Sequence, residues 1–224
     1  MAEEDISRAD GVRRSAEYAR LVMAAYARCT ATMADIETVR RNIRTQRREM
    51  ARNTVDSYIS ALRRLYVFED LHAWRPSLRS KARIATTPTR HYVDPSLAVA
   101  AMGASPQVLL QDITTLGLLF ESLCIRDLRI YAEYLKGRLL RYHDQTGLEA
   151  DAIVAMRDGR WGAVEVKLGE GLVEEGVKSL RKTARKVDHS VMGAPSFLAV
   201  VVPSGYAYRR DDGICVVPIT CLRP

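Results

Sequence analysis

Residues 148–168 have the sequence LEADAIVAMRDGRWGAVEVKL, and this stretch decides the fold of the second half of the chain. Two runs rich in Ala, Ile and Val flank the turn sequence RDG at 157–159, which is typical of a β-hairpin. Residues two apart in a strand lie on one face, so Glu165 and Lys167 project together. The stretch therefore predicts two largely apolar strands with charged side chains on one face.

The type of turn decides whether a third charged residue, Asp151, joins that face. A three-residue loop with Gly159 in the left-handed conformation pairs Asp151 with Glu165. A two-residue turn instead pairs Asp151 with Val166 and places the two carboxylates on opposite faces of the sheet. The residues alone leave both registers open.

The elements around this hairpin complete an α/β domain that we place at residues 104–224. Helices are predicted at 109–135 and 172–186, and strands at 138–144, 148–156, 160–168, 196–202 and 214–218. Helices and strands in this order predict an αβ sandwich with a mixed sheet that is covered by helices on both sides.

Residues 1–103 have the pattern of a winged-helix-like domain. Three amphipathic helices are predicted, the first at 11–31, the second after the N-cap Asp35 and the third after the N-cap Asn53. Two extended segments at 66–74 and 84–93 follow, separated by a basic segment, and residues 94–103 form a bridge to the next domain. In a winged helix the third helix enters the major groove and the hairpin tip contacts phosphates. A protein-docking module has the same outline, so both interpretations stay open.

The charge distribution favours a polyanionic partner, for which DNA is the expectation. The chain has 34 Lys and Arg against 27 Asp and Glu, a net charge of +7. Positions 40–90 hold 13 basic and 4 acidic residues, and 12 of the 13 are Arg, whose planar fork suits phosphate. The candidate nucleic-acid contacts are Arg52, Arg63, Arg64, Arg79, Lys81 and Arg83. A solvated basic surface is the alternative.

Several functional classes lack their sequence signals. The four cysteines have no zinc-ligand spacing, and no signal peptide or stretch of 18 apolar residues is present, so we expect a cytoplasmic protein without membrane contact. The phosphate-binding pattern GxxxxGK[ST] is absent. Residues 171–179, GLVEEGVKS, come near it but have Val177 where the lysine must follow the second glycine, so no ATP site is expected.

The charged strand face has a chemical interpretation. Charges in apolar strands are costly unless they are paired or bound to metal. In the three-residue register the Cβ atoms of Asp151 and Glu165 lie about 4.5 to 5.5 Å apart, so both carboxylates can ligate one Mg²⁺ or Mn²⁺ ion. Lys167 can orient a water or neutralise charge in phosphodiester hydrolysis. The structural alternative is an exposed ion pair of Glu165 with Lys167 and a solvated Asp151.

These residues resemble a known nuclease superfamily. Asp151, thirteen residues and then Glu165-x-Lys167 are similar to the core of the PD-(D/E)xK restriction-endonuclease-like nucleases. The segments LGLLFESLCIRDL, RLLRYHDQTGLEADAIV and WGAVEVKLG resemble the nuclease-like C-terminal region, a domain of unknown function, that follows the P-loop core in many prokaryotic AAA-type ATPases. RNTVDSYISALRRLYVFEDLHAW resembles the winged-helix segment of the same proteins.

The resemblance implies a restriction-endonuclease-like fold and a set of site residues. Glu121, Asp151, Glu165 and Lys167 match the nuclease-type positions, and Arg141 and Glu149 match flanking polar positions without an assigned role. It also implies an AAA-type ATPase as partner, in cis in a longer protein or in trans, because the ATPase core is missing here.

Three functions are compatible with these patterns. The first is a Mg²⁺-dependent nuclease-like domain joined to a winged helix. Many members of this fold bind nucleic acid or proteins without cutting, so a noncatalytic DNA- or protein-binding module of an ATPase is the second. An antitoxin-like or structural partner is the third. The sequence leaves a homo-oligomer open.

Overall fold

The computed structural model describes residues 6, 11–46, 48–75 and 87–223. The chain packs as two compact units, of which the first comprises the described residues of Met1–Leu71 and Thr87–Ser122, and the second those of His72–Thr86 and Leu123–Pro224. These units describe packing, and the domain boundary after residue 103 stays a prediction.

The first unit is helical. Its helices are α1 (Ala16–Ala27), α2 (Ile36–Arg44), α3 (Arg52–Arg64), α4 (Pro95–Met102), α5 (Pro106–Gln111) and the first part of α6 (Ile113–Tyr134). Buried apolar side chains of α1 to α3 form its core, and the rings of Tyr26 and Phe68 stack there with centroids 3.8 Å apart. The three predicted helices are thus present.

Capping side chains explain where these helices begin. The predicted N-cap Asp35 is confirmed, because its side chain accepts a 2.8 Å hydrogen bond from the Thr38 amide. The predicted N-cap Asn53 is wrong, since α3 begins at Arg52 with Ala51 in the N-cap position. Ala51 offers no side-chain acceptor, so this start had no signal in the sequence.

Two further differences concern the segment between the helical and the sheet regions. The predicted bridge 94–103 contains helix α4, which Asp94 caps and Gly103 ends with a φ of 65°. The single helix predicted at 109–135 is two helices, α5 and α6, because the chain breaks at Asp112. Its side chain accepts a 3.0 Å hydrogen bond from the Thr115 amide and so starts α6.

The described parts of the predicted basic hairpin pair in the expected antiparallel sense. Phe68 pairs with Tyr92 and Leu71 pairs with Thr89, as isolated bridges rather than as a continuous ladder. Residues 76–86, which include the predicted tip with Arg79, Lys81 and Arg83, lie outside the described residues.

The second unit is built on a mixed six-stranded sheet. Its strands are β1 (Arg138–His143), β2 (Glu149–Ala155), β3 (Trp161–Val166), β4 (Phe197–Val202), β5 (Tyr208–Arg209) and β6 (Cys215–Pro218). The spatial order is β1-β2-β3-β4-β6-β5, with β3, β4 and β6 parallel and the other neighbours antiparallel. A helical region followed by a mixed sheet with helices confirms the predicted α/β fold class.

Helix α7 (Val173–Lys186) covers one face of this sheet and packs against β2, β3 and β4. It contacts the sheet through the buried side of an amphipathic stripe made of Val173, Gly176, Val177, Leu180, Thr183 and Ala184. A short helix, α8 (His189–Met192), follows it. Within the described part of the chain, no helix combines the length and the apolar character that crossing a membrane requires.

Candidate functional site

The β2–β3 hairpin has the register that the three-residue loop predicts. Met156 donates its amide to the Arg160 carbonyl at 2.8 Å, and Gly159 has a φ of 89°. The paired residues of the two strands continue this register and place Asp151 opposite Glu165. The alternative two-residue turn is therefore wrong, and both carboxylates lie on the sheet face that α7 covers.

Glu165 is buried beneath α7, with its residue only 2% exposed. Its Oε2 lies 3.0 Å from the Lys167 Nζ, and its Oε1 accepts a 2.8 Å hydrogen bond from the Ser179 hydroxyl. Gly176 makes this possible, because a Cβ on that residue would lie 3.4 Å from the Glu165 Cβ and 3.2 Å from a methyl group of Val200. Helix α7 therefore approaches β3 closely at Gly176, where the helix carries no side chain.

Asp151 precedes Ala152, the first residue of β2 that pairs with β3. Its Oδ2 accepts a 2.7 Å hydrogen bond from the Val166 amide, and its charge acts to raise the pKa of Glu165. Lys167 lies at the edge of this group, with 22% of its side chain exposed. The structure therefore brings Asp151, Glu165 and Lys167 into one cluster, which we call the acidic pair site.

The electrostatics of this site are dominated by burial and by the proximity of two acids. Burial and the neighbouring Asp151 charge raise the pKa of Glu165 to about 8, although Lys167 and Ser179 oppose the shift. Burial also raises the pKa of Asp151, against the effects of Lys167 and the Val166 amide. Both carboxyl groups therefore hold a proton to higher pH than exposed acids do.

The donor set of the acidic pair site fits a hard divalent cation. Mg²⁺ is commonly held by one or two carboxylates, with water and substrate oxygens completing its shell. A cation of charge two neutralises both carboxylates and so opposes the effect of burial, which is the largest cause of their raised pKa values. No cluster of three or more His, Cys, Asp or Glu side chains suited to a metal occurs among the described residues. The protein would thus supply two carboxylates.

Ser179 is a polar neighbour of the site that sequence reasoning missed. Its hydroxyl lies 2.8 Å from Glu165 Oε1 and 2.9 Å from the Glu149 carbonyl oxygen. The Thr183 hydroxyl lies 3.4 Å from the same carbonyl. A signal was present, since Ser179 and Thr183 are four residues apart in α7 and border its apolar stripe. These hydroxyls fasten the helix to the start of β2.

The flanking positions Arg141 and Glu149 have structural partners. Arg141 is buried, and its backbone bonds to His72 and Trp74, which add a bridge at the edge of β1. Burial lowers the pKa of Arg141, and the Glu149 charge opposes that shift. The Glu149 carboxylate lies 3.2 Å from the His143 ring.

Glu121 lies on α6 within the first unit and is partly buried. Its role as a further acidic residue of the site stays a prediction.

The predicted nucleic-acid contacts of α3 have protein partners. Arg52 lies 4.0 Å from Asp56, and Arg63 lies 2.5 Å from Asp70. Arg64 is exposed on the same helix. The structure thus gives Arg63 a second, structural role as the partner of a buried acid.

Asp70 is the centre of a separate buried cluster in the first unit, which we call the arginine cluster. Besides Arg63, Asp70 pairs with the buried Arg90 at 2.7 Å and accepts a hydrogen bond from the Tyr26 hydroxyl. Burial acts to raise the pKa of Asp70, but Tyr26 and the two arginines outweigh it and lower that pKa. Two cations serve one acid here.

Comparisons with known proteins give two family matches. Residues 1–108 match the model of a domain of unknown function, DUF8612, and residues 116–222 match another domain of unknown function, DUF4143. No curated protein matches the chain.

Among solved structures, a chain from the half-complex of the tetradecameric assembly of Thermococcus gammatolerans McrB AAA+ hexamers with bound McrC is similar to this protein. The similarity has 11% sequence identity and a TM-score of 0.33, and it covers 90% of this chain and 70% of that chain.

Proposed function

We propose that the second unit is a nuclease-like module that hydrolyses phosphodiester bonds of nucleic acid at the acidic pair site. One observation carries this proposal: the register of two neighbouring strands places Asp151 opposite Glu165, and the Lys167 ammonium lies 3.0 Å from the Glu165 carboxylate. Buried acids that outnumber their cations are unfavourable for stability alone, so their presence supports a functional role.

The residues Asp151 and Glu165 would hold Mg²⁺ or Mn²⁺. When bound, the ion supplies Lewis-acid polarisation of a phosphoryl oxygen and lowers the pKa of a water molecule.

The chain's own residues then have separate roles. Lys167 is partly exposed beside Glu165, where its ammonium orients the attacking water and stabilises the negative charge of the transition state. Ser179 and the Val166 amide hold the two carboxylates in place through hydrogen bonds of 2.8 and 2.7 Å. The positions of both acids are therefore set by the fold before substrate arrives.

A cleavage assay tests the proposal. The full chain is incubated with plasmid DNA and with a labelled single strand, in Mg²⁺, in Mn²⁺ and in EDTA. We expect metal-dependent cleavage, and a loss of rate of about 100-fold or more in Asp151→Asn and in Lys167→Ala, in line with the loss of a transition-state contact. Asp158→Asn is the matched control, because Asp158 lies in the turn of the same hairpin and is exposed. Cleavage that persists in Asp151→Asn, or a folded wild type that never cuts, would refute the proposal.

A second function has support from a different observation. Each carboxylate already accepts a hydrogen bond from the protein, and Glu165 is paired with Lys167, as in a structural ion pair. On this basis the protein is a noncatalytic DNA- or protein-binding module. It predicts salt-dependent DNA binding that Asp151→Asn leaves intact and that Arg52→Ala with Arg64→Ala weakens.

The partner we propose for either function is an AAA-type ATPase. The support is the sequence resemblance to the regions that adjoin such ATPase cores. Affinity purification of the tagged full chain from its native cells, followed by mass spectrometry, should recover a protein with a P-loop motif. Recovery of the chain without any P-loop protein would contradict this partner.

A further inference from the structure

A basic pocket lies beside the acidic pair site in the second unit. It has a volume of about 470 Å³. The turn between β1 and β2 and the last turns of α7 line it, through Thr146, Gly147, Leu148, Lys182, Arg185 and Lys186. Three of these six residues are cationic, and no acidic residue lines the pocket.

The turn side of the pocket is held in a fixed conformation. The carboxylate of the buried Asp144 accepts hydrogen bonds from the Thr146 amide at 2.8 Å, the Thr146 hydroxyl at 2.6 Å and the Leu148 amide at 3.2 Å. Gly147 adopts a φ of 78°, a conformation that favours glycine. The wall that faces the cations is therefore preorganised.

The helix side of the pocket has a surplus of positive charge. Lys186 lies 3.6 Å from Asp144, but Lys182 and Arg185 are exposed and form no ion pair with any residue that the structure describes. Arg181, one residue before Lys182, differs from them because it pairs with Asp212. Two of the three cationic residues that line the pocket, Lys182 and Arg185, thus have charge available for an anion.

The pocket and the acidic pair site share one rigid edge. Leu148 precedes Asp151 by three residues, which corresponds to about 10 Å along a strand. The hydroxyl of Thr183 lies 3.4 Å from the carbonyl of Glu149, and that of Ser179, which donates to Glu165, lies 2.9 Å from the same carbonyl, so α7 packs closely on the start of β2 between the two places. A distance of about 10 Å corresponds to about three nucleotides along the axis of B-form DNA.

We propose that this pocket binds a backbone phosphodiester of the nucleic acid, about three nucleotides from the bond placed at the acidic pair site. The pocket's size and its two available cations suit a phosphate group, and Arg185 can bind two phosphate oxygens at once. The nature of the ligand rests on the proposed function, whereas the existence of an anion site rests on the pocket alone. In this arrangement the pocket fixes the position of the strand relative to Asp151 and Glu165.

The first experiment measures DNA binding by the full chain in EDTA, so that cleavage plays no part. Fluorescence anisotropy of a labelled duplex is followed over a range of salt concentrations for Lys182→Ala, for Lys182→Ala with Arg185→Ala, and for Lys178→Ala. Lys178 is the matched control, because it is exposed on the same helix one turn earlier and does not line the pocket. We expect the slope of log K against log salt to become shallower by about 0.9 for the single variant and about 1.8 for the double variant. Equal slopes for Lys178→Ala and Lys182→Ala would overturn the proposal.

The second experiment identifies the ligand group by NMR of the ¹⁵N-labelled full chain. Thymidine dinucleotide, inorganic phosphate and sodium chloride are titrated separately, and the amide signals of Thr146, Gly147 and Leu148 are followed. The proposal expects these signals to shift with the dinucleotide at concentrations where phosphate and chloride leave them in place. An equal response to inorganic phosphate would make this a free-phosphate site, and no response to the dinucleotide would remove the site; either result overturns the proposal.

These readouts separate the pocket from the proposed function. A wild type that binds DNA through Lys182 and never cuts it would refute the nuclease function and leave the pocket in place. A wild type that cuts through Asp151, while Lys182→Ala binds DNA as Lys178→Ala does, would refute the pocket alone.

Discussion

Each of the two units buries an acidic side chain, and the two sites differ in how many positive charges surround it. In the arginine cluster, the side chain of Asp70 is 2% exposed and is shared by Arg63 and Arg90. In the acidic pair site, the side chain of Glu165 is 3% exposed, and its single cationic partner, Lys167, also compensates Asp151. The first site has two cations for one acid, and the second has one cation for two acids.

This difference in charge balance decides the direction of the pKa shifts. Burial acts to raise the pKa of both Asp70 and Glu165, yet the surroundings lower the first and leave the second raised. Asp70 is therefore ionised at neutral pH and serves the fold. Glu165 keeps a deficit of positive charge that a divalent ion can supply, and this supports the proposed metal site.

The largest expected effect comes from disrupting the arginine cluster. Asp70→Ala leaves Arg90 buried without its partner, so the free energy of unfolding should fall by about 3 to 5 kcal/mol. Chemical denaturation at pH 7 measures this loss. Glu49→Gln is the control, because it removes an exposed ion pair with Arg44 and should change stability by less than about 1 kcal/mol. If Asp70→Ala were as mild as this control, the arginine cluster would not be a structural site.

The second prediction concerns how the stability contributed by the acidic pair site depends on pH. Because the folded pKa of Glu165 lies above its unfolded value of about 4.3, its protonated form stabilises the fold at low pH. Stability should then decrease as pH rises from about 5 towards the folded pKa near 8. The sign is opposite for Asp70, whose lowered pKa gives stability that is lost only as pH falls below about 4.

Denaturation in EDTA from pH 5 to pH 8.5 checks the second prediction. We expect Glu165→Gln to be more stable than wild type at the alkaline end, and the difference to shrink by about 4 kcal/mol between pH 8.5 and pH 5. A constant difference across this range would mean that Glu165 does not titrate in it.

The two sites also differ in how much of their geometry can be predicted from the sequence. The acidic pair site was predictable only in part: the alternation of VEVK places Glu165 beside Lys167, but only one of the two possible turns brings Asp151 opposite Glu165. Strand periodicity and one turn type are short-range properties that neighbouring residues encode. The α/β fold class follows from the same kind of pattern.

The arginine cluster had no such signal. Arg63 and Asp70 are seven residues apart, and Arg90 comes 20 residues after Asp70, so only tertiary packing unites them. From sequence, Arg63 was therefore expected to contact nucleic acid. Ser179 borders the apolar stripe of α7, but its partners Glu149 and Glu165 precede it by 30 and 14 residues, so its contacts also depend on tertiary packing. The break between α5 and α6 was also missed. The apolar stripe runs on through residues 109–135, and only the side-chain cap of Asp112 separates the two helices.

A third, smaller effect should appear on adding divalent metal. If the acidic pair site accepts Mg²⁺, a concentration ten times the dissociation constant should stabilise the wild type by about 1.4 kcal/mol. Thermal unfolding with and without Mg²⁺ at pH 8 measures this shift. We expect no shift in Asp151→Asn with Glu165→Gln, and a normal shift in Tyr26→Phe, which alters only the arginine cluster. Equal stabilisation of the wild type and the doubly substituted site would place the ion elsewhere.

The smallest expected effect concerns the hydrogen bond between Ser179 and Glu165 in the acidic pair site. Ser179→Ala removes the hydroxyl that donates to Glu165 Oε1, and this hydrogen bond acts to lower the pKa of Glu165. The pH at which stability is lost should therefore move upward, while the free energy of unfolding near pH 7 changes by only about 1 kcal/mol. Ser190→Ala is the control, since Ser190 bonds the exposed Asp188 and should leave the pH profile unchanged. If this pH moved downward in Ser179→Ala, Ser179 would favour the protonated form of Glu165. The Ser179 hydroxyl would then not stabilise Glu165 as the carboxylate that a cation needs.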